Sequence, residues 1–285
     1  MGQTNDIPNK AIVLGGRRDP RGAETDRLFT FERALIAELD LNTGHAHLCH
    51  EYVSPRDVCH ESAPSVLFKA GTLVGDTLYT CTETEVLWYR LPGFSLAGRI
   101  SLPWMNDVHH VLPLGDNGLL VASTGLDMIV HMTNQGDVMR EWDVCGEPLW
   151  ARFSRDVDYR KQTVPKPRHA HPNYIFLLDG EIWATRCRQR DAVCLTADQA
   201  PIELGGALIH DGVRQGNRLY FTRVDGHLAV VDAEKRAMAA DYNLSQFYPG
   251  RRPVGWCRGV APLDEQRALV GFTRLRPTLN ASSLG

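Results

Sequence analysis

The sequence predicts an all-β fold, a β-propeller, from three observations. Helical periodicity is scarce, whereas short apolar strands of about five residues recur along the chain. Gly, Asp and Asn turns separate these strands, for example "GDNG" at 115–118 and "LDG" at 178–180. A layout of four strands with their turns then repeats every ~40–60 residues, which is typical of propeller blades.

The repeated units follow one another along the chain. Four of them begin with "SVLFKAG", "HHVLPLG", "HPNYIFL" and "HDGVRQG", and a fifth begins with "CRGVAPL" and supplies two strands. The N-terminal strands "AIVLGG", "ALIAELDL" and "HAHLCHEYV" can complete a blade with this pair, which would remove an open sheet edge. We therefore predict five blades, with the N- and C-terminal strands closing one blade. Six blades, a β-sandwich and a split barrel are the alternatives.

The repeats also predict the domain organisation. We expect a disordered N-terminus over residues 1–10, one propeller domain over 11–276 and a flexible tail over 277–285. Segments 145–168 and 241–256 depart from the blade pattern, and we expect them to form inter-blade loops that cap one face.

Composition narrows the class of partner and the compartment. The 31 basic and 34 acidic residues give a net charge of −3, which argues against nucleic acid or an anionic membrane as the main partner. The N-terminus has no apolar leader, and no apolar run reaches the ~18 residues of a membrane span. The seven cysteines lack a C-x-x-C pair, which favours free thiols in a reducing cytoplasm. The oligomeric state is left open.

Two residue types recur at equivalent places in the repeats. Histidine stands at the start of the predicted inner strands, at His110, His171 and His210. Arginine stands at the end of the second strands, at Arg186, Arg223 and Arg274. Because these two places lie on the same face of a propeller, the sequence predicts that both sets surround one mouth of the axial funnel. The acidic residues that follow these strand ends, at 127, 191 and 225, are predicted to be turn residues paired with the arginines.

The histidines suggest a metal centre. Imidazoles from three strands can bind Zn, Fe, Mn or Cu and leave positions open for a substrate. The predicted ligands are His110, His171 and His210, and the candidates for a fourth ligand are His109, Glu61 and Cys257. Asp107 and Asp211 are placed to hold the second ring nitrogens. We expect a divalent transition metal at this site.

The other predicted site residues surround this centre. His110, His171, His210 and Arg186 are the candidate catalytic residues. The candidates for substrate binding are Arg223, Arg274, Arg188, Asn173, Trp104, Trp256 and Arg258. They predict a metal-dependent lyase, hydrolase or oxidoreductase that acts on a small anionic metabolite, with a role in secondary metabolism. The basic run "PKPRHAH" at 165–171 is expected to be a solvated loop.

Over residues 110–223 the chain resembles the arylsulfotransferase family of propellers. His171 and Asn173 match the family's His-x-Asn, Thr185 and Arg186 stand in place of its Ser-Arg, and His210 with the following Asp resembles its "HD" blade. The resemblance implies that His210 carries a transferred sulfuryl group, with His110 and His171 as acid–base groups. The elements "NDVHHV", "HPNY" and "GWCRG" also resemble a broad, poorly characterised family of bacterial propellers.

A role without catalysis is the third possibility. Propellers often serve as rigid scaffolds that present loops to a protein or peptide partner. Trp104, Trp150, Tyr159 and Trp256 are predicted to lie near the histidine face, where aromatic side chains suit a protein surface or the walls of a small-molecule pocket.

Overall fold

The protein is all-β, as the repeats predict. The computed structural model describes residues 9–19, 31–61, 64, 66–162, 168–247, 255–264 and 266–273. Strands make up 52% of it and helices 7%, and the antiparallel sheets stand in a ring as a five-bladed β-propeller.

Four sheets have four antiparallel strands each, joined by hairpins. Blade 1 contains β4 (Gly71–Val74), β5 (Thr77–Cys81), β6 (Val86–Arg90) and β7 (Ser95–Ile100). Blade 2 contains β8 (Val108–Pro113), β9 (Leu119–Ser123), β10 (Met128–Met132) and β11 (Val138–Asp143). Blade 3 contains β12 (Ile175–Leu178), β13 (Glu181–Arg186), β14 (Asp191–Cys194) and β15 (Ile202–Glu203). Blade 4 contains β16 (Ile209–Gln215), β17 (Arg218–Arg223), β18 (His227–Asp232) and β19 (Ala237–Asn243).

The two ends of the chain complete the ring. The N-terminal sheet contains β1 (Lys10–Arg18), β2 (Phe31–Asp40) and β3 (Ala46–Tyr52), and the C-terminal hairpin contains β20 (Trp256–Pro262) and β21 (Ala268–Thr273). The N-terminal sheet buries Ala34 and Ile36 against Phe68 and Leu87 of blade 1, and β20 packs against β16 and β17 of blade 4. Within the described residues no ladder joins β21 to β1.

Hydrophobic packing fills the spaces between successive blades. One core cluster joins blades 1 and 2 around Val86 and Val121, and another joins blades 3 and 4 around Trp183 and Phe221. Short 3-10 helices connect the strands at Arg56–Val58, Gly115–Asn117, Thr124–Leu126, Tyr159–Lys161 and Leu244–Phe247. No helix in this described part of the chain is long and apolar enough to cross a membrane.

Three inner strands carry one extra residue near their start. The register shifts between Val108 and His110 in β8, between Ile209 and Gly212 in β16, and between Cys257 and Val260 in β20. Such a β-bulge leaves a residue out of the ladder and re-aims the side chains around it. In β8 and β16 the bulge lies at the start of a strand that the sequence marks with histidine.

Some predictions fall on residues that the structure does not describe. The predicted disordered N-terminus lies outside the described residues up to residue 8, whereas β1 begins at Lys10. The predicted tail over 277–285 and Arg274 also lie outside them. The predicted loop over 145–168 is irregular where it is described, apart from the 3-10 turn at Tyr159–Lys161.

Candidate functional site

Charged groups and imidazoles converge at the mouth where the inner strands begin. We call them the axial cluster, which comprises Lys69, Asp107, His109, Arg168, His171, His210, Asp211 and Arg258. Blades 1 to 4 and the C-terminal hairpin all contribute to it, and it lines a cavity of about 2130 Å³ along the propeller axis. The starts of five different sheet elements therefore meet at one place.

The three β-bulges explain how these residues reach the axis. His109 is the unpaired residue of the bulge in β8. His210 and Asp211 lie within the bulge of β16, and Arg258 lies within that of β20. Because a bulge releases residues from the regular alternation of a strand, neighbours such as His210 and Asp211 can both serve the site.

Three histidine rings from three blades lie together in the cluster. The ring centroids of His109 and His171 are 4.9 Å apart, and those of His109 and His210 are 5.7 Å apart. The structure thus brings together two of the predicted ligands, His171 and His210. His109, which the sequence offered only as a fourth ligand, is the third ring.

Hydrogen bonds at Nδ1 fix which nitrogen of each ring carries the proton. Nδ1 of His109 lies 2.7 Å from the carbonyl oxygen of Asp107, an acceptor, so this nitrogen donates and Nε2 keeps its lone pair. His171 is the opposite case, because a guanidinium nitrogen of Arg168 lies 2.5 Å from its Nδ1 and can only donate. In its neutral form His171 therefore carries its proton on Nε2. The cluster combines imidazole acceptors with one imidazole donor.

Asp107 is the electrostatic centre of the cluster. Its two carboxylate oxygens pair with Lys69 and with Arg168, and Nδ1 of His109 lies 3.6 Å away. Burial alone would raise the pKa of Asp107, but attraction from Lys69, His109 and Arg168 outweighs it and holds the pKa well below the usual range. Asp107 also has a positive φ of 51°, a conformation that costs energy and that clusters at functional sites.

His210 and Asp211 form a dyad in the cavity wall. Nδ1 of His210 lies 2.9 Å from Oδ2 of Asp211, and the same oxygen accepts the backbone N–H of Gly259 at 2.7 Å. Nε2 of His210 is buried and has no hydrogen-bond partner among the described residues. Burial, and then the charge of Arg258, lower the pKa of His210, so the ring is neutral at neutral pH.

The segment that carries Arg168 and His171 is held by Asp127. This fully buried carboxylate accepts the backbone N–H groups of residues 169–171, at 2.6 Å from that of His171, and also pairs with Arg152 at 3.1 Å. His171 has a positive φ of 61°, and the three hydrogen bonds hold that strained backbone in place. Asp127 is thus linked to the loop that follows blade 2, where the sequence predicted a turn residue.

His110 occupies a different environment from its neighbour. It borders the cavity, but its Nδ1 accepts the backbone N–H of Ile175 in blade 3 at 3.2 Å, and its Nε2 lies 3.4 Å from Oγ1 of Thr72 in blade 1. Burial lowers the pKa of His110 to about 4. The ring therefore connects three blades, and its assignment as a metal ligand or catalytic residue stays a prediction.

Two of the predicted arginines, Arg186 and Arg223, lie away from the cavity wall. Arg186 pairs with Asp191 at 2.5 Å and donates to the carbonyl of Val144 in blade 2, and Arg223 lies 3.4 Å from Asp225. The predicted pairing with turn aspartates is present in both blades. Arg223 is only 4% exposed and is absent from the cavity wall, as is Arg186.

The remaining predicted residues divide between cavity and core. Arg188, Trp256 and Arg258 line the cavity, and the guanidinium of Arg258 lies 5.1 Å from the ring centre of Trp256. Asn173, Trp104, Cys257 and Glu61 do not line it. Asn173 is buried and donates to the carbonyl of Ile209 in blade 4, Trp104 belongs to a hydrophobic core cluster, Cys257 is fully buried, and Glu61 is exposed.

Two cationic members of the cluster were not singled out from the sequence. Lys69 precedes β4 by two residues, which is a place equivalent to the histidines of the other repeats. Arg168 belongs to the run expected to be a solvated loop, but its side chain is only 21% exposed and pairs with Asp107. Lys69 could have been predicted from its position at the start of an inner strand. Arg168 could not, because its partner Asp107 lies in another blade.

Some residues of the axial cluster are suited to bind a metal ion and others are not. Within the described residues no group of three or more His, Cys, Asp and Glu side chains is spaced to hold one. His109 and His210 have the oxygen partners at Nδ1 that metal-bound imidazoles require. His171 carries its proton on Nε2 while Arg168 contacts Nδ1, so it can bind a metal only if that contact is released.

Comparison with known proteins assigns no family. No family model matches the chain, and no curated protein matches it, so the resemblances to the arylsulfotransferases and to the bacterial propellers have no support there. Among solved structures the chain is similar to the computationally designed Ika8 protein, with 10% identity and a TM-score of 0.45 over 94% of this chain and 70% of that one. The sheets of this chain identify it as a β-propeller.

Proposed function

We propose that this protein is an enzyme that acts on a small anionic substrate in the axial cavity, with His210 as its base or nucleophile. The observation that carries the proposal is that His210 lines the cavity, that its buried Nε2 has no hydrogen-bond partner among the described residues, and that Asp211 holds the opposite nitrogen. Asp–imidazole pairs of this kind orient a ring and stabilise the imidazolium that it becomes.

The charges around His210 support an anionic substrate. Four cations, Lys69, Arg168, Arg188 and Arg258, line the same cavity as three carboxylates, Glu83, Asp107 and Asp211, so the formal positive charges of this set exceed the negative ones by one. Glu83 lies 3.7 Å from Lys69, and Asp107 pairs with Lys69 and Arg168. Nε2–H of His171 adds a hydrogen-bond donor. Such donors would hold the negative oxygens of the substrate and offset charge that develops on them during reaction.

The chemistry then follows from the protonation states. Neutral His210 takes a proton from a hydroxyl group or a water molecule at Nε2, and the electron pair of that O–H bond attacks the electrophilic atom of the substrate. The leaving group departs with the electrons of its bond to that atom and takes up the proton from Nε2. Asp211 keeps the proton at Nδ1 in place and stabilises the positive ring. In the alternative role, Nε2 itself attacks the electrophilic atom of the substrate and the leaving group departs with the bonding electrons.

A metal-dependent reaction is the second candidate. It is favoured by the convergence of the rings of His109, His171 and His210 from three blades. A metal bound there would polarise the substrate or activate water. The cations nearby would then have to be separated from it by the anionic substrate.

The first test is turnover of two anionic chromogenic substrates, p-nitrophenyl phosphate and p-nitrophenyl sulfate. The His210→Asn variant is expected to lose at least about a hundredfold in rate. The matched control is His47→Asn, because His47 is exposed on β3, and its rate should equal that of the wild type. Equal rates in both variants would contradict the role of His210.

Metal dependence is tested on the same preparation. Elemental analysis of protein purified without chelator is followed by turnover assays after EDTA treatment and after return of Zn²⁺ or Mn²⁺. Loss and recovery of activity would favour the metal centre, whereas unchanged activity in metal-depleted protein would favour histidine acting alone. Protein without any turnover that binds a peptide or protein partner would support a scaffold.

A further inference from the structure

The axial cavity is larger than a small anion requires. Its volume of about 2130 Å³ exceeds the ~300–1,000 Å³ of usual ligand pockets. The axial cluster occupies only the end where the inner strands begin. The chemistry of the cavity wall outside the axial cluster determines which kind of ligand the remaining volume can bind.

The other end of the cavity is lined by apolar side chains. They lie towards the ends of the inner strands and on the N-terminal sheet, at Leu14, Leu73, Leu112, Leu177, Val213 and Val260. We call them the apolar section. Leu112 follows His109 by three residues and Val213 follows His210 by three, so the two sections are separated by roughly 10 Å of extended strand.

Two side chains of the apolar section are exposed in the cavity, whereas the other four, Leu14, Leu112, Val213 and Val260, also pack against the hydrophobic cores between the blades. Leu73 is 53% exposed and Leu177 is 37% exposed, although both face the cavity. The charges at this end are engaged with each other or with backbone, since Lys10 pairs with Glu38 at 3.0 Å and Arg214 donates to the carbonyl of Leu177 at 2.5 Å. The wall therefore offers apolar surface to whatever enters.

We infer that the substrate is amphiphilic, with an anionic head group at the axial cluster and an apolar chain about 10 Å long against the apolar section. The inference rests on the proposed function, because it places the reacting group beside His210. Burial of the chain supplies the free energy of binding, while the cations fix which end faces the dyad. A compact polar metabolite would leave the apolar section exposed to water.

The test is isothermal titration calorimetry with ethyl, butyl, hexyl, octyl and decyl phosphate. Affinity is expected to rise about fourfold per methylene group and to level off once the chain exceeds ~10 Å. Octanol, which lacks the head group, and inorganic phosphate, which lacks the chain, should both bind at least about tenfold more weakly than octyl phosphate.

Two variants locate the chain. Leu177→Asn should weaken octyl phosphate by about tenfold and leave ethyl phosphate unchanged. The matched control is Leu96→Asn, because Leu96 lies on β7, is 46% exposed and is absent from the cavity wall. Its affinities should equal those of the wild type.

The outcomes separate this inference from the proposed function. Equal affinity for ethyl and decyl phosphate, or equal binding of octanol and octyl phosphate, would overturn the amphiphilic substrate while leaving His210-dependent turnover intact. Chain-length-dependent binding in the His210→Asn variant supports the inference whether or not turnover is found. An effect of Leu96→Asn equal to that of Leu177→Asn would show that the chain binds elsewhere.

Discussion

Acidification should lower the free energy of unfolding of the protein through His110, which contacts three blades. Burial lowers the pKa of this ring to about 4, whereas in the unfolded chain it returns to about 6.5. Between these values the unfolded state binds the proton more readily, so the free energy of unfolding rises with pH and falls on acidification. At pH ~5 the difference of ~1.5 pKa units corresponds to about 2 kcal/mol lost relative to pH ~7.5.

The assay compares the wild type with His110→Asn. Asparagine offers an acceptor to the backbone N–H of Ile175 but does not titrate in this range. Urea unfolding followed by tryptophan fluorescence at pH ~7.5 and ~5 gives both free energies. The free energy of unfolding of the wild type minus that of the variant should be about 2 kcal/mol smaller at the lower pH. A difference that stays constant between the two pH values would refute the buried, neutral state of His110. His47→Asn serves as the exposed control.

Three further changes test the site and its support. Asp211→Asn should reduce turnover and move the acid limb of the pH–rate profile to lower pH, because Asp211 raises the pKa of His210. In the wild type this limb should lie below pH ~6.5, because burial lowers the pKa of His210; a limb above that value would contradict the role of His210 as the base. Asp127→Ala should cost about 3 kcal/mol or more in urea unfolding, since it removes the acceptor of three backbone N–H groups, one buried and two part-buried, and an ion-pair partner of Arg152. A stability within ~0.5 kcal/mol of the wild type would show that the segment needs no such anchor. Gly125→Ala should lower the melting temperature, because its Cβ would overlap Oδ1 of Asn106; an unchanged melting temperature would show that the loop adjusts.

The repeat pattern was sufficient to predict the architecture. Strand length, turn residues and the period of the units are local properties, and they predicted an all-β propeller of five blades. The prediction that both chain ends close the ring follows from the two-stranded last repeat. The absence of a ladder between β1 and β21 in the described residues depends on how the end sheets pack, which no local pattern encodes.

The histidine pair at 109–110 shows where the sequence stops predicting the site. In a regular strand one member of an adjacent pair faces the axis, and the alternation depends on the register. The one-residue bulge in β8 sends His109 to the axis and leaves His110 between the blades, and no residue near it signals the extra position. His171 and His210 were predicted correctly as neighbours because strand starts converge in any propeller.

The arginines at 186 and 223 show a second limit. The repeats predicted that they share a face with the histidines, and their turn aspartates predicted the ion pairs that the structure contains. Position along a strand does not determine whether a side chain faces the axis or the neighbouring blade. For Arg168 the determining contact is with Asp107 in blade 2.

Because the residues of the axial cluster come from separate blades, circular permutation and deletion of a blade should affect the cluster differently. Each contributing residue reaches the axis through the start of its own inner strand, and the outer strands, such as β11 and β19, take no part in the cluster. A circular permutation that opens the chain in an outer turn, such as the one at 134–136 between β10 and β11, would leave every inner-strand start intact. Removing one whole blade would instead delete its charges from the cluster, so the position of the chain ends can change while the number of blades cannot.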